Sequence, residues 1–302
     1  VEVRVGLNAL IVAVTRDEPR VMTVPWSPET QTIASRATMM ALPFGDLDAE
    51  GDRTLELALR RWVRQQTGLE LGYVEQLYSF GDRARDRVAG VRMISIAYLA
   101  LVREAVVPPQ ISASWRNVYD FLPWEDWRGG PPEHLNRQIA GALETWRGSD
   151  SSARKLRTQL AFGLDGSAWD GERVLERYEL LYEVGLVQEA SAQSGLGMPM
   201  GLDHRRMLAT ALGRIRGKLR YRPVIFEMLP EEFTLLQLQK AVEALAGVPV
   251  HKQNFRRLVE QGGLVEGTGQ TTRSIGRPAE LFRFRRDVLR ERPAPGVGLP
   301  RL

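Results

Sequence analysis

No cysteine occurs among the 302 residues. That removes disulfide staples and thiolate zinc sites, and it fits a reducing compartment without requiring one. Histidine is nearly as scarce: His134, His204 and His251 stand far apart. A histidine-built metal site or a charge-relay triad is therefore not expected. Long apolar runs are missing too. MISIAYLALV, residues 93–102, has the length of a strand and falls well short of the ~18 residues of a spanning helix. The first residues, VEVRVGLNALIVAV, alternate like a strand and lack the marks of a cleaved signal. A soluble, cytoplasmic protein with no membrane partner is the expectation.

What is present is an ordinary globular composition, 43% hydrophobic and 26% charged, in a chain long enough for two domains. Charge is spread unevenly. Residues 201–302 carry 19 Lys and Arg against 10 Asp and Glu, a surplus of nine; the first 200 carry 22 against 27. A basic last third suits a polyanion partner, although arginines that merely face water give the same count.

Three regions follow from the pattern. Residues 1–147 mix strand-like runs (NALIVAV, YVEQLYSF, VRMISIAYLALV) with one clear helix, TLELALRRWVRQQTG, an α+β order. GSDSSA, residues 148–153, breaks the chain. Residues 154–190 read as helical, with Val174, Leu175, Tyr178, Leu181 and Tyr182 at helical spacing. A Ser/Gly-rich stretch leads to a basic helix from Leu202 to Leu219, with Asp203 as its cap. Residues 148–219 are thus read as a helical connector and dimerisation segment, and 220–302 as a separate C-terminal domain.

That last domain combines several signals. Thr234 can cap a helix whose Leu235, Leu238, Val242 and Leu245 form one apolar stripe. After the turn AGVP, a second helix from about His251 to Gln261 buries Phe255, Leu258 and Val259 and stops at Gly262-Gly263. Its outer face offers Lys252, Gln253, Asn254, Arg256 and Arg257. Amide and guanidinium groups match base edges, and lysine neutralises phosphate. GLVEG and AELFRFRR then form two strands around a loop carrying Arg273 and Arg277, suited to an adjacent minor groove or backbone. Helix–turn–helix followed by a hairpin is the winged-helix order, so double-stranded DNA is the expected partner.

Residues 42–86, LPFGDLDAEGDRTLELALRRWVRQQTGLELGYVEQLYSFGDRARD, resemble a degenerate Nudix box and the strand after it. In that family a Gly-rich loop precedes a helix whose glutamates bind divalent cations for pyrophosphate hydrolysis. Arg61, Val63 and Thr67-Gly68 match the frame. The glutamate places fall on Trp62, Gln65 and Gln66, and a loop glycine falls on Phe44. Amide oxygens do not neutralise a hard cation, and without one there is neither Lewis acid nor activated water. Neither metal, cofactor nor hydrolase activity is expected. Arg53, Arg61 and Gln65, with Asp82 and Arg83 at the end of a strand, are the candidate nucleotide-binding residues. Glu56 beside Arg60 reads as an ion-pair partner. The alternative is a nucleotide pyrophosphatase of the ADP-ribose/NADH class with an atypical metal site.

Nearly the whole chain resembles the NAD-biosynthesis transcriptional regulators of alphaproteobacteria, Nudix-related regulators with a winged helix. PWEDWR (123–128), VLERYELLYEVGLV, DHRRMLATALGRIRGKLRYRPVIFEMLP and VHKQNFRRLVE carry the likeness. It implies a Nudix-like α/β/α sandwich over 1–147, sensing ADP-ribose, NAD or ATP, and a repressor that binds a palindromic operator as a homodimer. Trp124 and Trp127 with Glu125 and Asp126 suit either an adenine clamp or an inter-domain seam.

Overall fold

The computed structural model describes residues 2–26, 39–82, 91–133, 135–148, 152–191, 195–272 and 278–297. Strands β1 (Glu2–Thr15), β2 (Glu18–Trp26), β3 (Met39–Ala41), β4 (Phe44–Asp46), β5 (Val74–Phe80), β6 (Val91–Leu101) and β7 (Ser114–Asn117) form one mixed sheet. Its order is β3-β2-β1-β6-β5, with β4 also on β1 and β7 on β2. The β1–β6 pair is parallel and the other pairs are antiparallel.

Strand periodicity divides β1 between two cores. Leu7, Ala9 and Ile11 meet Ala58, Leu59 and Val63 of α1 (Leu55–Thr67). Leu10 and Val12 face the opposite layer. Helix α1 begins where Thr54 accepts the Leu57 N–H at 3.2 Å. It ends at Gly68, whose φ of 72° returns its N–H to the Arg64 carbonyl.

The opposite layer holds α2 (Val118–Phe121), a 3-10 turn at Pro123–Glu125, α3 (Ala140–Arg147), α4 (Ser152–Phe162), α5 (Val174–Glu183) and α6 (His204–Tyr221), of which α2 and α6 meet the sheet directly. The C-terminal part adds α7 (Leu235–Ala246), α8 (Lys252–Gln261), the hairpin β8 (Val265–Thr271) and β9 (Glu280–Phe284), and α9 (Val288–Glu291). Phe233 and Phe282 exchange backbone hydrogen bonds at 2.9 and 2.8 Å, tying the entry of α7 to the hairpin.

A single apolar cluster runs from Leu10 and Val12 through Phe121, Trp124, Tyr178, Leu208 and Ile215 to Leu238, Val242 and Phe255. It crosses residues 147/148 and 219/220 without a gap. Two local readings differ from the pattern of the sequence. The helical stretch 154–190 is split by a loop in which Gly163 and Gly166 have positive φ. Asp203 does precede α6 but makes no capping bond; its carboxylate pairs with Arg206 at 3.1 Å instead. No helix among the described residues is long and apolar enough to cross a membrane.

Candidate functional site

Helix α8 separates its residues by face. Phe255 and Val259, one turn apart, are fully buried, while Lys252, Gln253, Asn254, Arg256 and Arg257 are all exposed. Lys252 and Arg256 form one row and Gln253 and Arg257 a second. Arg257 donates to the Asn254 side-chain oxygen at 3.3 Å; Lys252, Gln253 and Arg256 have no side-chain partner among the described residues. His251 opens the helix, exposed and without a side-chain cap bond. Helix α7 presents α8 firmly: Thr234 and Gln237 form a reciprocal capping box, at 3.2 and 2.8 Å. Arg273 and Arg277 of the expected wing lie outside the described residues.

The three places where the Nudix resemblance puts metal carboxylates behave differently. Gln66 turns its amide onto the backbone of Phe44, accepting the N–H at 3.0 Å and donating to the carbonyl at 2.7 Å. Trp62 lays its ring on Gly45, where a Cβ would collide with it, and donates to the Asp46 carbonyl at 3.0 Å. Gln65 is exposed. Among the described residues, no group of three or more His, Asp or Glu is placed to hold a metal ion. Gln66 thus serves as a pin between α1 and β4, a role a carboxylate cannot fill because it has no donor. Gln66→Glu is expected to lower stability by about 1–3 kcal/mol, leaving one carbonyl unsatisfied. A melting temperature equal to that of the unaltered protein removes the pin.

The basic residues of this region are largely committed. Arg61 donates to Asp52 from Nη2, to both carboxylate oxygens at 2.9 and 2.8 Å, and from Nε at 3.3 Å, and its guanidinium lies 4.8 Å from the Trp62 ring centre. Hydrogen bonds from the Asp48 N–H and from Arg61 hold the Asp52 carboxyl below its usual range. Arg60 pairs with Glu56 at 2.7 Å. Arg53 is exposed and without an ion pair among the described residues, and Arg61 and Gln65 share one helix face. Asp82 is exposed at the end of β5, and Arg83 lies outside the described residues. A cleft of about 430 Å³ lies elsewhere, between the 163–173 loop, α6 and the α7–α8 turn, and is lined by Trp169, Arg173, Arg216, Arg220 and Pro249.

PWEDWR packs a seam. Trp124 and Glu125 are buried, and the Trp127 N–H donates to the Gly247 carbonyl at 2.6 Å. Around Glu125 gather two arginines that no local pattern marks: Arg177 at 2.6 and 2.8 Å and Arg216 at 2.6 Å. Burial pushes the Glu125 carboxyl up, but the two guanidiniums outweigh it and hold it below the usual range. Tyr178 is fully buried in the apolar cluster, with Tyr182 at its edge.

His204 is a second buried group that sequence reading left without a partner. Its Nδ1 accepts the Leu42 N–H at 3.0 Å, and its ring stands edge-on to Phe44, 5.3 Å between centroids. Burial brings its pKa down to about 3. Below the ordinary value of 6.5 the unfolded chain binds a proton that the folded one refuses. The contribution is whole above pH 6.5 and is lost as pH falls towards 3, at about 1.4 kcal/mol per unit. His204→Asn, which keeps an acceptor near the same place, is expected to lose about 2 kcal/mol less than the unaltered protein between pH 6.5 and 5. Urea unfolding at the two pH values checks this; parallel losses in both proteins refute it.

The mixed sheet with α1 and the C-terminal helix–turn–helix with its hairpin define the class: a Nudix-like fold joined to a winged helix. Residues 225–284 match the family model described as the NrtR DNA-binding winged helix domain. The chain is 25% identical over 244 residues to the ADPR-responsive transcriptional repressor NtrR of Acinetobacter baylyi, covering 81% of this chain and 69% of that one. Its fold is similar to the crystal structure of Shewanella oneidensis NrtR complexed with a 27mer DNA, with a TM-score of 0.57, 22% identity and 94% of both chains covered. A MutT/nudix family protein from Enterococcus faecalis is also similar, with a TM-score of 0.55, 16% identity, and 94% of this chain and 87% of that one covered.

Proposed function

We propose that this protein is a nucleotide-responsive transcriptional repressor of NAD biosynthesis or salvage genes, of the alphaproteobacterial branch suggested by its sequence blocks. The observation that carries the reading is the exposed face of Lys252, Gln253, Arg256 and Arg257 on the second helix of a winged helix that matches the NrtR model. In this reading residues 1–147 sense the nucleotide, 148–219 connect, and 220–302 enter the major groove. Two subunits read a roughly palindromic operator, with Asn254 beside the base-reading row and Arg273 and Arg277 reaching along the duplex.

The sensing half acts without catalysis, since Trp62 and Gln66 are spent on the backbone of β4. ADP-ribose is the effector we favour over NAD and ATP, because the Acinetobacter relative is ADPR-responsive. Arg53, without an ion pair among the described residues, is a cation for its phosphates. Arg61 would have to exchange Asp52 for the ligand, with Gln65, Asp82 and Arg83 along the pocket edge.

A thermal-shift screen of ADP-ribose, NAD and ATP, each with and without Mg²⁺, tests the reading. At a hundredfold excess over Kd, ADP-ribose is expected to stabilise the protein by about 2.7 kcal/mol regardless of Mg²⁺. Magnesium-dependent cleavage of ADP-ribose or NADH establishes the pyrophosphatase reading in its place.

A further inference from the structure

Helix α6 is fastened at both ends. At its start, His204 holds the Leu42 N–H and packs on Phe44. Just before it, the Gly201 N–H donates to the Met40 carbonyl at 2.8 Å, and Met200 bridges Met40 in parallel. The first turn therefore rides on the β3–β4 segment, whose other side is gripped by Trp62 and Gln66.

Twelve residues further, about 18 Å along the axis, Arg216 meets the reading head. Its Nε donates to the Leu245 carbonyl at 3.0 Å, in the last turn of α7, where carbonyls lack helical partners. Its other nitrogens reach the Glu125 carboxylate at 2.6 Å, the Glu125 carbonyl at 3.0 Å and the Gly171 carbonyl at 3.0 Å. The Tyr119 hydroxyl donates to the Ala244 carbonyl at 2.6 Å. Gly247 has φ +73°, and a Cβ there would collide with the Glu125 carbonyl and the Arg216 guanidinium.

Two buried guanidiniums on one buried carboxylate are a poor way to gain stability, because desolvation offsets the attraction. Apolar side chains would pack the seam as well. What charged, directional bonds add is a fixed choice of which carbonyls meet, and so one orientation of the α7–α8 turn. The cleft lined by Arg216, Arg220, Ala246, Val248, Pro249 and Val250 gives that turn room to take a second position.

We propose that α6 is the rod that transmits the state of the β3–β4 loop to the winged helix, with His204 as the contact at the loop and Glu125–Arg216 as the joint that orients α8. The proposal rests on the regulator reading above. Buried and bonded to other parts of this chain, His204, Glu125 and Arg216 are positioning residues. A nucleotide that displaces the loop moves the start of α6, and a helix clamped at its far end delivers that displacement to the turn before α8. The ligand must bind the two positions unequally for this to act.

The lack of cysteine allows clean spin labelling of the full chain at Glu70→Cys and Glu260→Cys, both exposed positions. Distances are measured with and without ADP-ribose in the parent, in Glu125→Gln, and in the apolar triple Glu125→Leu/Arg177→Met/Arg216→Met, which keeps the volume filled. The parent is expected to show a narrow distribution that ADP-ribose shifts. Both variants broaden it and lose the shift, while calorimetry still shows ADP-ribose bound. The effect of ADP-ribose on DNA affinity then falls from the about 5- to 150-fold of coupled sites to below about twofold. Variants that keep the parent's width and shift, or its full DNA response, overturn the proposal, as does a parent that binds ADP-ribose without any shift. A parent that binds no ADP-ribose sinks the functional reading instead, and the width in Glu125→Gln still decides the joint.

Discussion

Replacing Arg256 and Arg257 by alanine together is expected to all but abolish operator binding while leaving the fold intact. Both side chains are exposed on α8, opposite the buried Phe255 and Val259, so no core contact is lost. Each arginine that reaches a base edge contributes about 1–3 kcal/mol of discrimination. Losing two such contacts weakens specific binding by about 30- to 10⁴-fold, since 1.4 kcal/mol is tenfold. Salt separates base contacts from phosphate contacts. For each phosphate contact removed, the slope of log K against log salt becomes shallower by ~0.9; a pure base contact leaves the slope unchanged and relaxes sequence preference. A mobility-shift titration at two salt concentrations reads both, with melting temperature as the control for folding. Unaltered affinity at both concentrations removes α8 as the reading helix.

The second large effect concerns stability. Glu125→Ala leaves Arg177 and Arg216 buried without a counter-charge, a loss of about 3–5 kcal/mol. Against the 5–15 kcal/mol that holds a typical domain together, that is a large fraction. Removing all three charges at once, as in the apolar triple, is expected to be neutral or stabilising, because the desolvation cost goes with them. Guanidinium-denaturation midpoints for the single and triple variants test this contrast. Similar losses in both would mean that packing volume, rather than charge, governs the site. Acid acts in the same direction as the single substitution. The depressed Glu125 pKa keeps its contribution whole above about 4.5, and it is lost as pH falls through the lower folded value.

The helix–turn–helix was legible because its determinants are local. A capping threonine, an apolar stripe at spacings of three and four, a turn glycine and a basic outer face all lie within residues 234–263. Helical and strand periodicities turn such patterns into faces without help from the rest of the chain. The Nudix-like half was legible as a resemblance, and the layered sheet with α1 matches it. Among its candidate binding residues, Arg61 is held by a partner that no local pattern marks. Asp52, which neutralises Arg61, looks like any loop aspartate in the sequence. Gln66 and Trp62, one turn apart on α1, carried a signal that could have been used: an amide and an indole facing a loop are more useful there as backbone partners than as failed metal ligands.

The amino-acid sequence by itself determined the strands β1, β5 and β6, the helix α1 between them, and the face that α8 turns outward. Each depends on residues within a few turns of one another. Tertiary structure alone decided which charges go inside. Glu125 meets Arg177 across 52 positions and Arg216 across 91, and His204 meets Leu42 across 162. Burying an arginine depends on a distant carboxylate arriving at the same point, and no periodicity in the sequence records that arrival.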